Sequence, residues 1–89
     1  MRAVITVVGK DAVGILAKVA TRCSDHKVNV IEVTQSILQE MFAMIMMSDV
    51  SGCNVPFDEF KDKMTKLGED NSLSIHVMHE DIFNSMHRI

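Results

Sequence analysis

The sequence has no tryptophan, no tyrosine and only four phenylalanines in 89 residues. Proteins that read unpaired RNA bases stack them on exposed aromatic rings, and here only Phe42 falls near a candidate central strand. Two cysteines, Cys23 and Cys53, are too few for a disulfide scaffold; both are read as reduced and inert. Cations are not in excess either. Nine Lys and Arg against twelve Asp and Glu leave a net charge of −3, which argues against phosphate-backbone binding. No apolar run approaches the roughly 20 residues that span a bilayer, and the opening Met1 to Thr6 carries no signal-peptide cleavage pattern. A cytoplasmic location is therefore expected, with no nucleic acid and no membrane as partner.

Apolar residues make up 47% of the chain and charged residues 24%, inside the globular range. A chain of this size buries only about two-thirds of its unfolded surface, so one core and one domain over residues 1–89 are expected.

Hydrophobic period gives the elements. Ala3 to Val8 is β-branched and apolar on both faces and stops at Gly9-Lys10-Asp11, as a buried central strand does. From Val13 the spacing becomes helical: Ile15, Leu16, Val19, Ala20 and Cys23 share one side, with Lys18, Thr21, Arg22 and Asp25 opposite. Asn29 to Gln39 alternates, Ile31, Val33 and Ile37 against Glu32, Thr34 and Ser36, the pattern of an edge strand. A tight turn at Gln39-Glu40 leads to Met41–Val50, apolar on both faces and so central. Pro56, Asp58 and Glu59 suit a helix start, Phe57, Phe60, Met64 and Leu67 mark its apolar face, and Gly68 is read as its stop. Leu73, Ile75 and Val77 then alternate with Ser74, His76 and Met78 as a second edge strand.

The order βαββαβ predicts an α+β, ferredoxin-like fold: a four-stranded antiparallel sheet with two helices on one face. That leaves the other face bare, and Met44, Met46 and one set of first-strand residues are expected to lie on it. Ile82, Phe83, Met86 and Ile89 have helical spacing, so residues 81–89 are read as a short C-terminal helical tail on a 1–80 core. A helix so short is marginal alone and must dock on that open face or on a second subunit.

Gly9-Lys10-Asp11-Ala12-Val13-Gly14-Ile15-Leu16-Ala17-Lys18-Val19 resembles the G-x-D-x-x-G-I-x-A-x-V opening of ACT domains, and Val28-Asn29-Val30 resembles the entry to their second strand. The tail from His79 to Ile89 is similar to that of a family of small stand-alone ACT proteins, so the likeness spans essentially the whole chain. Similar openings occur in the amino-terminal part of formyltetrahydrofolate deformylases and in a regulator of glycine cleavage. With no deformylase catalytic domain in this sequence, only the sensing part is expected. The resemblance implies a regulatory domain whose ligand, an amino acid or related polar metabolite, sits at a homodimer interface. It also implies ligand contacts from Asp11, Ala12, Gly14, Ile15, Leu16, Asn29 and Val30.

The chemistry of these residues fits that reading. Gly14 leaves the backbone N–H groups at a helix start open to a carboxylate, Asp11 can accept from an ammonium group, and Asn29 can donate and accept. A structural role fits each as well: Asp11 as a helix cap, Gly14 as an aid to close packing or a bend, and Asn29 as the turn residue that ends the first helix. The strongest amino-acid sensors of the family carry Asn and Pro where Asp11 and Val13 stand here, so the resemblance does not fix which ligand is bound.

His76, His79 and His87 with Glu80 and Asp81 are of metal-ligating type, but His76 and His79 are three apart on a strand and point to opposite faces. They are read as surface or interface polar residues. The eight methionines are read as packing, with Met44, Met46 and Met47 suited to a deformable apolar surface. Acyl phosphate hydrolysis on this plan calls for an Arg in the first loop, where Lys10 stands, and metal chaperones of this plan use a Cys-x-x-Cys that is missing. There is no nucleophile paired with a base, no phosphate loop and no metalloprotease motif. No catalysis and no cofactor are expected. The alternative of another class is a protein-interaction module that works through the open sheet face and the tail without a small ligand.

Overall fold

A computed structural model of the chain describes residues 1–10 and 14–86, the side chain of Leu38 excepted. Its elements run β1 (Arg2–Gly9), α1 (Ile15–Asp25), β2 (Asn29–Leu38), β3 (Met41–Asp49), α2 (Phe57–Asp70), β4 (Ser74–His79) and α3 (Glu80–Met86). The sheet order is β2-β3-β1-β4, with all three pairings antiparallel. The two strands apolar on both faces are thus central and the two alternating ones are edges, as their patterns require. No helix among the described residues is long and apolar enough to cross a membrane.

The core lies between the sheet and α1 and α2. Ile15, Val19 and Cys23, four apart on α1, and Phe60 and Met64 on α2 meet Ala3, Ile5 and Val7 of β1, Phe42, Met44 and Met46 of β3, and Ile75 and Val77 of β4. Ser48, fully buried in this layer, donates its hydroxyl to the carbonyl of Ala3 at 3.1 Å, so the one buried polar side chain among the described residues is satisfied.

Met44 and Met46 therefore face the helices, against expectation. Since side chains alternate, the open face of β3 carries Met41, Ala43, Ile45 and Met47 instead, paired with Val8, Thr6 and Val4 of β1. A bulge between Val30 and Glu32 breaks the period of β2: Val33 packs on the core, while Ile31 and Ile37 are exposed.

Both long helices end in a Schellman arrangement made without glycine at the left-handed position. After α1, Lys27 has φ 59°, Val28 N–H donates to Cys23 O at 2.8 Å, and Lys27 N–H donates to Ser24 O at 3.0 Å. After α2, Ser72 has φ 58° and Leu73 N–H donates to Gly68 O at 2.7 Å. Gly68 is thus inside α2 rather than its stop, and Asn29 opens β2 rather than closing α1.

The tail docks on its own sheet. Val4 points to the face away from α1 and α2 and lies outside the main core, yet it is fully buried, and α3 is the element that returns against β1 and β4 on that side. Arg2 Nε reaches Glu80 Oε2 at 2.6 Å, an ion pair whose N–H is not aimed along a hydrogen bond. Phe83 is half-buried, while Ile82 and Met86 remain exposed, so the apolar face of α3 is only partly covered. His87 and Ile89 lie outside the described residues.

Candidate functional site

Of the seven residues singled out for ligand contact, Asp11 and Ala12 lie outside the described residues. Gly14 stands at the N-cap of α1 with φ 71°, a left-handed conformation that a side chain rarely adopts. No atom of the described residues comes within 4 Å of the place where its β-carbon would be. The glycine therefore serves the bend, and no described residue packs against it. Ile15 turns its side chain into the core at 3% exposure, which leaves only its backbone N–H for a ligand, and Leu16 is exposed.

Asn29 and Val30 lie elsewhere. The register aligns Asn29 with Asp49 and Asp49 with Arg2, at the end of the sheet opposite Gly9, from which the chain leads to Gly14. Between them runs α1, 11 residues or about 16 Å at 1.5 Å per residue. One copy of the chain does not bring Gly14 and Asn29 together.

At the Asn29 end there is a cleft of about 460 Å3 lined by Ala20 and Ser24 of α1, Lys27, Val28, and Asn29 and Val30 of edge strand β2. Sequence reasoning missed Ser24 and Lys27. Lys27 owes its place to the left-handed cap, which turns an ammonium side chain out at the end of α1, and no glycine marks that turn in the sequence.

Asn54 pins this end: its Nδ2 donates to Asp25 O at 3.1 Å, its backbone N–H donates to His26 O at 3.1 Å, and its Oδ1 lies 3.0 Å from His26 Nδ1. The His26 ring also meets Phe60 edge-to-face, centroids 5.9 Å apart. Opposite Asn29, the Asp49 carboxyl is held below its usual range, first by its hydrogen bonds from Ser51, whose N–H donates to Oδ1 at 2.9 Å.

Cys23 and Cys53 are both unpaired. Burial, with the neighbouring Cys53 adding to it, pushes the Cys23 thiol up to about 11, which makes it a packing group and not a nucleophile. His76 and His79 diverge: His76 Nε2 lies 3.1 Å from Ser74 Oγ, and His79 Nδ1 accepts from Asp81 N–H at 3.2 Å. No group of three His, Cys, Asp or Glu among the described residues is placed to hold a metal ion.

Comparison with known proteins bears on the fold and the family. A family model described as ACT domain matches residues 2–78. The UPF0237 protein of Listeria innocua is 44% identical over 89 residues, the whole of both chains. An ACT domain protein from Streptococcus pneumoniae superposes with a TM-score of 0.82 at 30% identity over 93% of either chain. A formyltetrahydrofolate deformylase from Pseudomonas syringae shares the fold, with a TM-score of 0.77 at 22% identity, over 88% of this chain and 27% of that one. The chain belongs to the ACT domain family.

Proposed function

We propose that this ACT domain is a regulatory sensor, and not an enzyme, that binds an amino acid or related polar metabolite between two copies of the chain. The observation that carries the reading is the separation of the two halves of the site. Gly14, with Asp11 and Ala12 just before it, stands at one end of α1, and the cleft with Lys27, Asn29 and Val30 stands at the other. Two copies related by a two-fold axis alongside α1 and β2 set the helix start of one against the cleft of its partner. A ligand there meets the N–H groups and Asp11 from one chain and Asn29 and Lys27 from the other, which suits a carboxylate and an ammonium on one small molecule. Edge strand β2, ten residues long, offers the unpaired backbone along which such copies align.

In this reading residues 1–80 are the binding core and 81–89 the cover of the open sheet face, and the free cysteines fit a reducing, cytoplasmic setting. A thermal-shift screen of the amino acids and of folate-pathway metabolites tests it: a saturable rise in melting temperature for one or a few compounds is expected, and no rise for any of them sinks it. A second reading has its own support. Met41, Ile45, Ile82 and Met86 are exposed apolar groups on or beside the open face, as a protein-docking module would have. Under that reading the screen is blank and a partner protein, not a metabolite, stabilises the chain.

A further inference from the structure

α3 covers the Val4 end of the open face. It has seven residues, so it measures about 10 Å both along its axis and across it, while β1 with eight residues runs for about 26 Å. Whichever way it lies, the helix spans less than half the length of the strands. The rest of the face carries Ile45 at 43% exposure, Met41 at 41% and Val8 at 39%. Thr34 and Thr6 flank Ile45 across the sheet and Ala43 pairs with Val8, so these rows are uncharged at their centre, and the ionisable His76 stands at the β4 edge. A second surface can cover such a patch without trapping an ion.

α3 supplies the matching half. Ile82 and Met86, four apart and therefore on one side of the helix, are 56% and 66% exposed, while Phe83 beside them is half-buried. The helix thus holds its own sheet with one side and presents an apolar side outward. An apolar stretch of sheet and an apolar helix side, at opposite ends of one face of one chain, are the two halves of a self-complementary contact.

We infer that the open face is a docking surface for a second copy of this chain, with α3 of each copy seated on the Ile45 and Val8 stretch of the other. A two-fold axis that lies in the interface and runs across the strands sets the Val4 end of one copy over the Val8 end of its partner. The two α3 helices then lie side by side in one layer between the facing sheets, about 20 Å of helix over about 26 Å of strand. An axis along the strands would instead stack helix on helix and hold the sheets apart. Area favours a whole chain over a short peptide as well. Four strands about 4.8 Å apart make a face of about 500 Å2, and the lower limit for a specific pair is about 1,000 Å2 counted over both partners. The contact uses neither α1 nor the edge of β2, so it stands independently of the ligand site proposed above.

Paramagnetic broadening between copies tests this. A chain with Met86→Cys, carrying a nitroxide, is mixed with an equal amount of parent chain labelled with nitrogen-15. The same mixture made with nitroxide-treated parent is the reference, which removes the contribution of the half-buried Cys53. Broadening is expected at the amides of Val8, Ala43 and Ile45 of the isotope-labelled chain, and not at Thr65 on the exposed side of α2. Ile45→Glu and Ile82→Glu alter exposed side chains, so both should keep the parent's amide dispersion, and each should weaken the association at least about tenfold by setting a carboxylate in the contact. Sedimentation reads that loss as a halved mass, from dimer to monomer, or from tetramer to dimer where copies also meet along α1 and β2. The inference is overturned if the isotope-labelled chain shows no broadening on its open face, if broadening runs only along α1 and β2, or if Ile45→Glu sediments as the parent does.

Discussion

Gly68 and Leu73 hold the end of α2 against the start of β4 through their backbones: Leu73 N–H donates to Gly68 O at 2.7 Å, and a β-carbon on Gly68 would lie 2.7 Å from Leu73 O and 3.0 Å from Ile75 Cγ1. Two effects oppose each other in Gly68→Ala. Helix propensity favours alanine by about 1 kcal/mol, while forcing a methyl against a fixed carbonyl costs about 1–3 kcal/mol as overpacking does. A backbone oxygen cannot swing aside as a side-chain end can. We expect Gly68→Ala to lose about 1–2 kcal/mol in chemical denaturation, and a gain would show that α2 and β4 are looser than described.

The two left-handed caps predict the opposite sign. Lys27 and Ser72 bear side chains at φ 59° and 58°, a conformation that costs a non-glycine residue about 1 kcal/mol. Lys27→Gly and Ser72→Gly should each stabilise the fold by roughly 0.5–1 kcal/mol. Lys27→Gly should at the same time weaken the ligand of the Asn29 cleft, so stability and affinity move in opposite directions in one variant. Calorimetry beside denaturation reads both.

Alkaline pH probes Cys23. Its folded pKa, about 11, is above the ordinary thiol value of 9.0, so the folded chain holds that proton more tightly than the unfolded chain does. The contribution is fully present below pH 9.0 and is lost as pH rises from there through about 11. The measurement is the difference between the parent and Cys23→Ala, in which contributions from other groups cancel. The parent should lose more stability than the variant between these limits, and parallel curves would mean that the thiol titrates freely.

Removal of residues 82 to 89 uncovers Val4. Burial of one valine is worth about 1.5–3 kcal/mol at most, so a loss of about 1–2 kcal/mol and a tendency to associate are expected. A truncated chain that melts with the parent and stays monodisperse would show that α3 covers nothing of consequence.

Much of the fold is legible in the sequence because its signals are local. The change of period from two to near four marks each element, and strands apolar on both faces could only be central. What was not legible has a common physical cause. In Met41–Met47 every position except Ala43 is large and apolar, so alternation cannot say which set faces the helices; it is Phe42, Met44 and Met46. The bulge at Ile31 carries no glycine or proline, and the caps at Lys27 and Ser72 lack the glycine that usually marks them. Gly68 was read as a stop because glycine is the usual stop, whereas contact with Leu73 and Ile75, remote from any local signal, explains it. The same holds for the candidate site. Gly14 and Asn29 stand out as residue types, but only the register of β1, β2 and β3 reveals that a full helix length separates them.

That separation gives the central claim its most direct test, a calorimetric mixing of two blocked variants with the ligand found in the thermal screen. Asp11→Lys sets a cation against the ligand's ammonium, and Asn29→Trp fills the other cleft; each alone should bind nothing. If the site is shared between copies, an equal mixture left to exchange subunits is half heterodimer, and each heterodimer keeps one intact site. Binding should then return at about a quarter of the parent's sites per chain, with the parent's affinity. Binding that never returns in a mixture shown to have exchanged would place the whole site within one chain and contradict the account.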